Sequence, residues 1–413
     1  MNIYKLTFLF FISNSLFACK IKDNLSYIEF TTNSTILEEL VFYIKTKEKS
    51  IWVDANNNLT KDESEVIEIN APDKRTAIRV KVKDRVFRVY GKIFFLACPR
   101  YMELENLDVS HNTNLSYLYL DSHDQLRNLD VSENTELEFL YCSRNGIQNL
   151  DVSHNLKLKT LICSSNNLDS LNISENMGLI KLECNNNFID NLDVSNNINM
   201  RHLNCSETGI SSLDLTKNKN LEYLYCENIN LTKLDVSLLS KLSVLRCGGN
   251  KLTTLDVSKN TKLFDLECYV NKLSNLDISK NTLVKHLDCA FNELTSLDLS
   301  NNKNLEEIDC SNNQLTTLDV SLNTKLEVEL KCAHNQLEEL DLSQNPKISE
   351  LDCSYNNLKS LDVSVMVDLF TSNFIGNKNM SCIKINKKQK KDLENDENDW
   401  IKNDKAFYSL NCK

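Results

Sequence analysis

The stretch LDVSKNTKLFDLEC, Leu255 to Cys268, combines a strand-like alternation of apolar residues with Asn, Asp and one cysteine. Nearly the same string recurs along most of the chain. Its LDxS-type tetrad begins thirteen times, at steps of 21 or 22 residues: Leu107, Leu129, Leu150, Leu171, Leu192, Leu213, Leu234, Leu255, Leu276, Leu297, Leu318, Leu340 and Leu361. A fixed period of this length indicates a solenoid, because one such unit cannot bury its own apolar face and a stack of units can.

A column of cysteines keeps the same period as the tetrad. Its members are Cys142, Cys163, Cys184, Cys205, Cys226, Cys247, Cys268, Cys289, Cys310, Cys332 and Cys353. Cys98 and Leu120 continue the column upstream and Phe374 continues it downstream. The repeat unit is LxxLxCxxNxLxxLDVSxNxx, and it predicts fourteen coils from about Ile93 to about Asn377.

Each position of the unit has a physical role. In LxC the two apolar residues are two apart and point to the same, inner face of a strand. Cysteine acts there as a small hydrophobe, and the spacing of stacked strands, about 4.8 Å, is too wide for disulfides along the column. The Asn side chains turn inward at two corners and satisfy main-chain groups of adjoining coils. The Asp of each LDVS tetrad accepts local hydrogen bonds, since a column of like charges would otherwise repel.

The unit resembles the leucine-rich repeat LxxLxLxxNxL, with Cys in place of the third leucine. It is similar to the 21-residue repeats of Bacteroidota surface proteins and, more loosely, to those of the internalins, over roughly two-thirds of the chain. The resemblance implies a right-handed leucine-rich-repeat solenoid with a parallel β-sheet on one face. In this family a short CI…W…C cap often follows the last coil. The end of the chain, SCIKI…DWIKND…LNCK, is similar, which implies a C-terminal cap over 380–413 closed by a Cys382–Cys412 disulfide.

The first residues, MNIYKLTFLFFISNSLFAC, are typical of a bacterial signal peptide over residues 1–18. Leu16 to Cys19 resembles a lipobox, in which Cys19 becomes the lipidated N-terminus. The alternative is an ordinary secretory signal with an accidental cysteine. We therefore predict a protein outside the cytoplasm, anchored at the outer membrane or cell surface, whose only membrane contact is the lipid.

The segment from 19 to 92 is not repetitive. Alternating runs at Ala77 to Val82 and Arg85 to Gly91 indicate strands of a small N-terminal β domain that caps the first coil. The solenoid itself then occupies 93–379. The run Lys387 to Lys391 is interpreted as solvated cap surface.

The composition excludes several kinds of function. The net charge is −11, whereas nucleic-acid binding requires a basic stripe. Seven glycines in 413 residues leave no Gly-rich phosphate loop, and no catalytic motif is present, so we predict that the protein is not an enzyme and needs no cofactor.

One loop has the spacing of a metal site. Asp54, Asn56, Asn58, Asp62 and Glu65 fall at positions 1, 3, 5, 9 and 12 of an EF-hand pattern. Leu59 replaces the turn glycine, and flanking helices are not evident. We interpret the loop as an Asx-rich turn between strands; the alternative is a calcium site.

The outward residues that flank the inner Leu of each strand vary from coil to coil, and packing does not explain them. Early coils carry aromatic residues: Tyr117, Tyr119, Phe139 and Tyr141, followed later by Tyr223 and Tyr225. Later coils carry acids: Asp265, Glu267, Asp288, Glu307 and Asp309, of which Glu267, Asp288 and Asp309 stack in consecutive coils. Exposed aromatic clusters usually mark contact surfaces. We predict a protein partner on this face; the alternative partner is a carbohydrate, since stacked tyrosines also suit sugar rings.

Overall fold

The structure is a computed structural model that describes residues 25–33, 39–395 and 399–412. The signal peptide and Cys19 lie outside these ranges. The strands are β1 (Tyr27–Thr32), β2 (Glu39–Thr46), β3 (Ser50–Asp54), β4 (Val66–Glu68), β5 (Thr76–Lys81), β6 (Val86–Tyr90), β7 (Ile93–Cys98), β8 (Leu104–Asp108), β9 (Tyr117–Leu120), β10 (Phe139–Tyr141), β11 (Thr160–Ile162), β12 (Lys181–Glu183), β13 (His202–Asn204), β14 (Tyr223–Tyr225), β15 (Val244–Arg246), β16 (Asp265–Glu267), β17 (His286–Asp288), β18 (Glu307–Asp309), β19 (Glu329–Lys331), β20 (Glu350–Asp352), β21 (Ser360–Asp362), β22 (Thr371–Asn373), β23 (Cys382–Lys384), β24 (Asp399–Ile401) and β25 (Phe407–Ser409). One helix, α1 (Lys387–Glu394), and two 3-10 turns, Glu63–Glu65 and Arg100–Met102, complete the described elements.

A long parallel sheet forms one wall of the solenoid. It runs from β7 through β9 to β20 and then to β22 and β24, with equivalent residues of successive repeats directly opposite one another. Leu140, for example, lies opposite Leu118 on one side and Leu161 on the other. The predicted solenoid is confirmed: β7, β9 to β20 and β22 supply its fourteen coil strands, and the C-terminal cap adds β24 to the sheet as a fifteenth strand.

The interior consists of the leucine and cysteine columns that the repeat predicts. The twelve ladder cysteines, from Cys98 to Cys353, are all buried and reduced. Burial raises the pKa of these thiols, that of Cys142 to about 12, so they are protonated and unreactive at neutral pH. Cysteine therefore serves as a small core residue in this fold.

The corner asparagines connect neighbouring coils. At the first corner, the Asn271 amide nitrogen donates to the carbonyl oxygens of Cys247 and Cys268, both at 3.1 Å, and its oxygen accepts the Leu252 N–H at 2.9 Å. At the second corner, the Asn281 amide donates to two carbonyl oxygens of the preceding coil, at 3.0 and 2.9 Å. Buried main-chain groups that no strand ladder reaches are satisfied in this way.

The wall that carries the LDVS tetrads is less regular than the sequence predicts. Between β8 and β21 it forms one isolated bridge, Asn128 to Asn149, among the described residues. The Asp of the tetrad instead accepts the N–H two residues later, as Asp256 does from Ser258 at 2.9 Å. This local bond ends the extended segment in a turn. It also lowers the pKa of Asp256, so this carboxyl is ionised at neutral pH.

The N-terminal domain caps the first coil by extending both walls of the solenoid. Strands β5 and β2 add to the long sheet beyond β7, and strands β4, β3, β6 and β1 add to β8 as an antiparallel sheet. The two sheets enclose a core in which Phe30 stacks on Phe87, with ring centroids 4.7 Å apart. The apolar edge of the first coil is thereby buried.

The C-terminal cap copies the corner chemistry with different residues. Gln389 is buried in α1, and its amide donates to the carbonyl oxygens of Val363 and Met366, where a second-corner Asn would donate. The lysine run that we interpreted as solvated surface is therefore the first part of helix α1, and it contains one residue with a structural role, Gln389. Trp400 packs on Phe374 and Tyr408, and the Cys382–Cys412 disulfide closes the cap as predicted.

Candidate binding surface

The outward side chains of β7, β9 and β10 form one aromatic surface. Tyr119 and Tyr141 stack in parallel with ring centroids 4.3 Å apart, and Tyr117 lies 6.2 Å from Phe139 in the neighbouring row. Tyr117 and Tyr119 are 42% and 36% exposed despite these contacts. The sheet register thus places the four predicted aromatic residues side by side.

The same surface includes Phe95, an outward aromatic residue that the repeat pattern also predicts, and it continues onto Tyr43 and Arg75 of the N-terminal domain, which the repeat pattern does not reveal. Phe95 on β7 extends the Tyr117 row, and the Arg75 guanidinium lies 4.3 Å from the Tyr43 ring centroid and 5.7 Å from that of Phe95. We call this set the aromatic patch: Tyr43, Phe95, Tyr117, Tyr119, Phe139 and Tyr141. Burial and the neighbouring Asp121 raise the pKa of Tyr141 to about 12, so its hydroxyl is a hydrogen-bond donor at neutral pH.

Tyr223 and Tyr225 do not join the aromatic patch. They lie four strands beyond β10, on β14, and contact His202 with ring centroids 5.8 and 5.3 Å away. His202 in turn lies 3.1 Å from Glu183, and this contact lowers the pKa of Glu183 to about 2. The middle of the sheet is therefore a cluster of polar side chains around two tyrosines.

The predicted acids lie in a groove further along the sheet. Glu267, Asp288 and Asp309 occupy equivalent slots on β16, β17 and β18 and line a cavity of about 480 Å³. We call this cavity and its carboxylates the acidic groove; the carboxylates are Asp265, Glu267, Asp288, Glu307, Asp309 and Glu329. Sequence reasoning missed the cations at its two ends, Arg246 and Lys331, although both occupy slots of the same column.

Burial dominates the electrostatics of the acidic groove. It raises the pKa of Glu267 to about 7 and that of Asp288 to about 6, against the lowering effects of Arg246 and Lys331. Asp265, expected to be an outward surface residue, is buried, with 7% of its surface exposed. Its Oδ2 accepts from Arg246 at 2.8 Å, and its Oδ1 has no partner.

The Asp54–Glu65 loop uses its carboxylates to hold its own turn. Asp54 accepts the N–H groups of Asn58 and Leu59 at 3.1 and 3.0 Å. Glu65 accepts from the Trp52 indole N–H at 3.2 Å and from the Ala55 N–H at 3.3 Å. These bonds account for the Asx-rich sequence, and calcium binding by Asp54, Asn56, Asn58, Asp62 and Glu65 stays a prediction.

Across residues 25–33, 39–395 and 399–412, no three His, Cys, Asp or Glu side chains are grouped so that they could hold a metal ion. Within the same ranges, no helix combines the length and the apolar character needed to cross a membrane.

Comparison with solved structures identifies the family. The functional domain of InlJ from Listeria monocytogenes, which includes a cysteine ladder, is 30% identical to this chain, with a TM-score of 0.59 over 68% of this chain and 70% of that one. The chain belongs to the internalin-type leucine-rich-repeat family. InlJ includes a cysteine ladder, and this leucine-rich-repeat protein stacks its own cysteines in one buried column.

More distant structures share the fold alone. A leucine-rich-repeat protein of Leptospira interrogans is 18% identical, with a TM-score of 0.54 over 73% of this chain and 91% of that one. A plant peptide hormone receptor, solved in complex with its hormone, is 17% identical, with a TM-score of 0.51 over 67% of this chain and 55% of that one. No family model and no curated protein sequence matches the chain.

Proposed function

We propose that this leucine-rich-repeat protein is a cell-surface, lipid-anchored interaction module, an adhesin, receptor or scaffold component without catalytic activity, which binds a protein partner on its long sheet. The observation that carries the proposal is the aromatic patch. Its rings stay partly exposed although the inner Leu column alone satisfies the core. Exposed aromatic clusters of this kind supply interface hot spots.

The packing of the rings favours a protein over a carbohydrate. Tyr119 and Tyr141 stack at 4.3 Å, so each ring covers one face of the other, and the Tyr141 hydroxyl donates to Asp121 at 3.4 Å. A sugar ring stacks on an open aromatic face, whereas protein side chains also pack against ring edges. The leucine-rich-repeat receptor that was solved with a peptide hormone shows that the fold can serve such a role.

The proposal is tested by removing the patch and keeping the fold. The sheet variant carries Tyr117→Ser, Tyr119→Ser, Phe139→Ser and Tyr141→Ser. Its matched control carries Leu156→Ser, Met177→Ser, Phe188→Ser and Ile198→Ser, four exposed apolar residues that lie outside the sheet. Circular dichroism should show that both variants fold.

Capture of partners from host and bacterial lysates is then compared with binding to a glycan array. We expect wild type and control to capture the same protein and the sheet variant to lose it, since hot-spot truncation typically costs about 2 kcal/mol or more. Equal capture by all three proteins would show that the contact face lies elsewhere. Specific glycan binding that the sheet variant loses would establish the carbohydrate alternative.

The anchor needs a separate measurement, because Cys19 precedes the described residues. Cells that express the full chain are grown with labelled fatty acid, and a Cys19→Ala variant serves as control. Label on wild type and none on the variant is the expected result.

A further inference from the structure

The acidic groove holds more negative charge than its surroundings neutralise. Six carboxylates line it, and the permanent cations in the same lining are Arg246 and Lys331. Arg246 pairs with Asp265 at 2.8 Å and Glu267 at 3.2 Å, and Lys331 pairs with Glu329 and, at 3.7 Å, with Glu350. Both cations are thus engaged at the ends of the groove, and Glu307 in the middle contacts the His286 ring at 3.1 Å. Asp288 and Asp309 are left without an ion pair among the described residues that line the groove.

The side chains in the middle are fixed in place. The Ala290 N–H donates to Asp288 Oδ1 at 3.0 Å, and the Ser311 N–H donates to Asp309 Oδ1 at 2.8 Å. These bonds orient the two carboxylates on adjacent strands, 21 residues apart in the sequence. At one end, Asp265 is part of the cavity lining, and its buried Oδ1 atom has no hydrogen-bond donor. A buried acceptor without a donor is unfavourable, and a cationic ligand at this end of the groove would compensate for it.

We propose that the acidic groove is a subsite of the sheet face that binds a lysine- or arginine-bearing segment of the protein partner. The inference rests on the proposed function, whose partner it describes chemically. A peptide cation fits better than a metal ion, because no three acids of the described chain converge as metal ligands do. The carboxylates of the groove lie on four adjacent strands, β16 to β19, which span roughly 14 Å; this suits an extended segment with cationic residues on one side, about 7 Å apart.

Proton linkage follows from the same geometry. Glu267 faces Arg246 on β15, Asp265 on its own strand, Glu227 and Tyr269 from the corner, and Asp288 on β17. Asp288 faces Asp309 and Glu307 on β18 and Lys331 on β19, with His286 beside it on β17. A bound cation favours ionised carboxylates, so binding releases the protons that burial retains on these two acids. Affinity should therefore fall as the pH falls.

The test uses the mature full-length protein and defined probes. Hexalysine is titrated calorimetrically at pH 7.5 and 5.5, with acetylated hexalysine as the uncharged probe and calcium chloride as the rival ligand. The groove variant carries Glu267→Gln, Asp288→Asn and Asp309→Asn. The matched control carries Asp256→Asn, Asp277→Asn and Asp298→Asn, which makes the same charge change on the LDVS wall. Asn is compatible with that position, since Asn172 already accepts the Ser174 N–H there.

We expect hexalysine to bind the groove variant at least about 25-fold more weakly than wild type at pH 7.5, while the control variant binds within about twofold of wild type. Binding to wild type should be about 25-fold weaker at pH 5.5 than at pH 7.5, from ionisation of Glu267 alone. If hexalysine binding were weakened equally in both variants, the binding would depend only on the net charge of the protein, and the proposal would be overturned. Binding of the acetylated probe, or displacement of hexalysine by stoichiometric calcium, would also overturn it.

The sheet variant separates this inference from the proposed function. It should bind hexalysine normally, because β10 and β16 are six strands apart, roughly 29 Å. Partner capture that is lost in the sheet variant and unaffected in the groove variant would overturn the groove inference alone. Capture that is unaffected in both would overturn the sheet face as the contact surface.

Discussion

The substitution Thr208→Asn should stabilise the middle of the solenoid. Thr208 replaces a first-corner Asn, and its hydroxyl donates to the Cys205 carbonyl oxygen at 2.8 Å. A regular corner such as Asn271 makes that bond and two further ones, to Cys247 of the preceding coil and from the Leu252 N–H. The coil with Thr208 therefore lacks two inter-coil hydrogen bonds. The next corners carry Ile229 and Leu239 in place of Asn, which concentrates three such losses in adjacent coils.

The magnitude follows from these two bonds. At about 1 kcal/mol each, they should raise the free energy of local opening by about 2 kcal/mol. Opening controls amide hydrogen exchange in the native state, so exchange near Ile189 and Thr208 should slow about 30-fold. In the wild type, peptides from this region should exchange faster than peptides around Asn271 and Asn292.

Hydrogen exchange read by mass spectrometry measures both effects on the same peptides. The reciprocal substitution Asn271→Thr is the matched control, because it removes two bonds from a regular corner and should accelerate exchange locally by a similar factor. Uniform protection across residues 184–260 in the wild type would contradict the reasoning. Exchange that does not slow in Thr208→Asn would show that corner side chains do not limit opening.

The remaining predictions concern the thiols and the acids. Thiol titration of denatured, unreduced protein should count twelve free groups besides any at Cys19, and extensive oxidation would contradict the ladder geometry. Glu267→Gln with Asp288→Asn should raise the free energy of unfolding by about 2 kcal/mol at pH 7.5 and by less than half as much at pH 5, because burial raises both pKa values and the wild type loses stability as the pH rises from the ordinary pKa values of these carboxyls to the raised ones. Urea titrations of both proteins at the two pH values measure this difference. His123, whose pKa is lowered by burial, is present in both proteins, so its contribution cancels. A gain that is equal at both pH values would contradict the prediction.

Much of the fold was predictable because the same packing positions recur in every copy of the repeat. A single Leu-x-Cys or corner Asn says little, but thirteen in-phase tetrads fix the period and the inner face. The structure confirms the buried cysteines, the inward asparagines and the LDVS aspartates as acceptors of local hydrogen bonds. The Cys382–Cys412 bond was predictable only through resemblance, because spacing alone does not assign a cysteine pair.

The ends of the solenoid could not be predicted in the same way. Gln389 replaces a corner Asn from within a helix, and β24 continues the long sheet from a segment without the repeat pattern. Gln389 and β24 contact residues that do not lie 21 positions before them in the sequence. The period of the repeat therefore does not predict which residues they pair with. The contacts of Tyr43 and Arg75 with the aromatic patch were also unpredictable, because the pairing of β2 with β7 does not follow from the repeat.

The sequence predicted which face of the sheet carries the candidate site, but not the burial and charge pairing of the side chains on that face. The outward slots of the long sheet follow from the two-residue period, whereas burial within those slots depends on neighbouring strands. Asp265 illustrates the difference, since the sequence places it outward while Arg246 and the adjoining side chains cover it. Each coil adds a strand at a spacing of about 4.8 Å. The inward residues of each strand must pack on the neighbouring coils and so stay the same, whereas the outward residues are free to differ. The number of coils between the aromatic patch and the acidic groove therefore sets the length of partner that can occupy both.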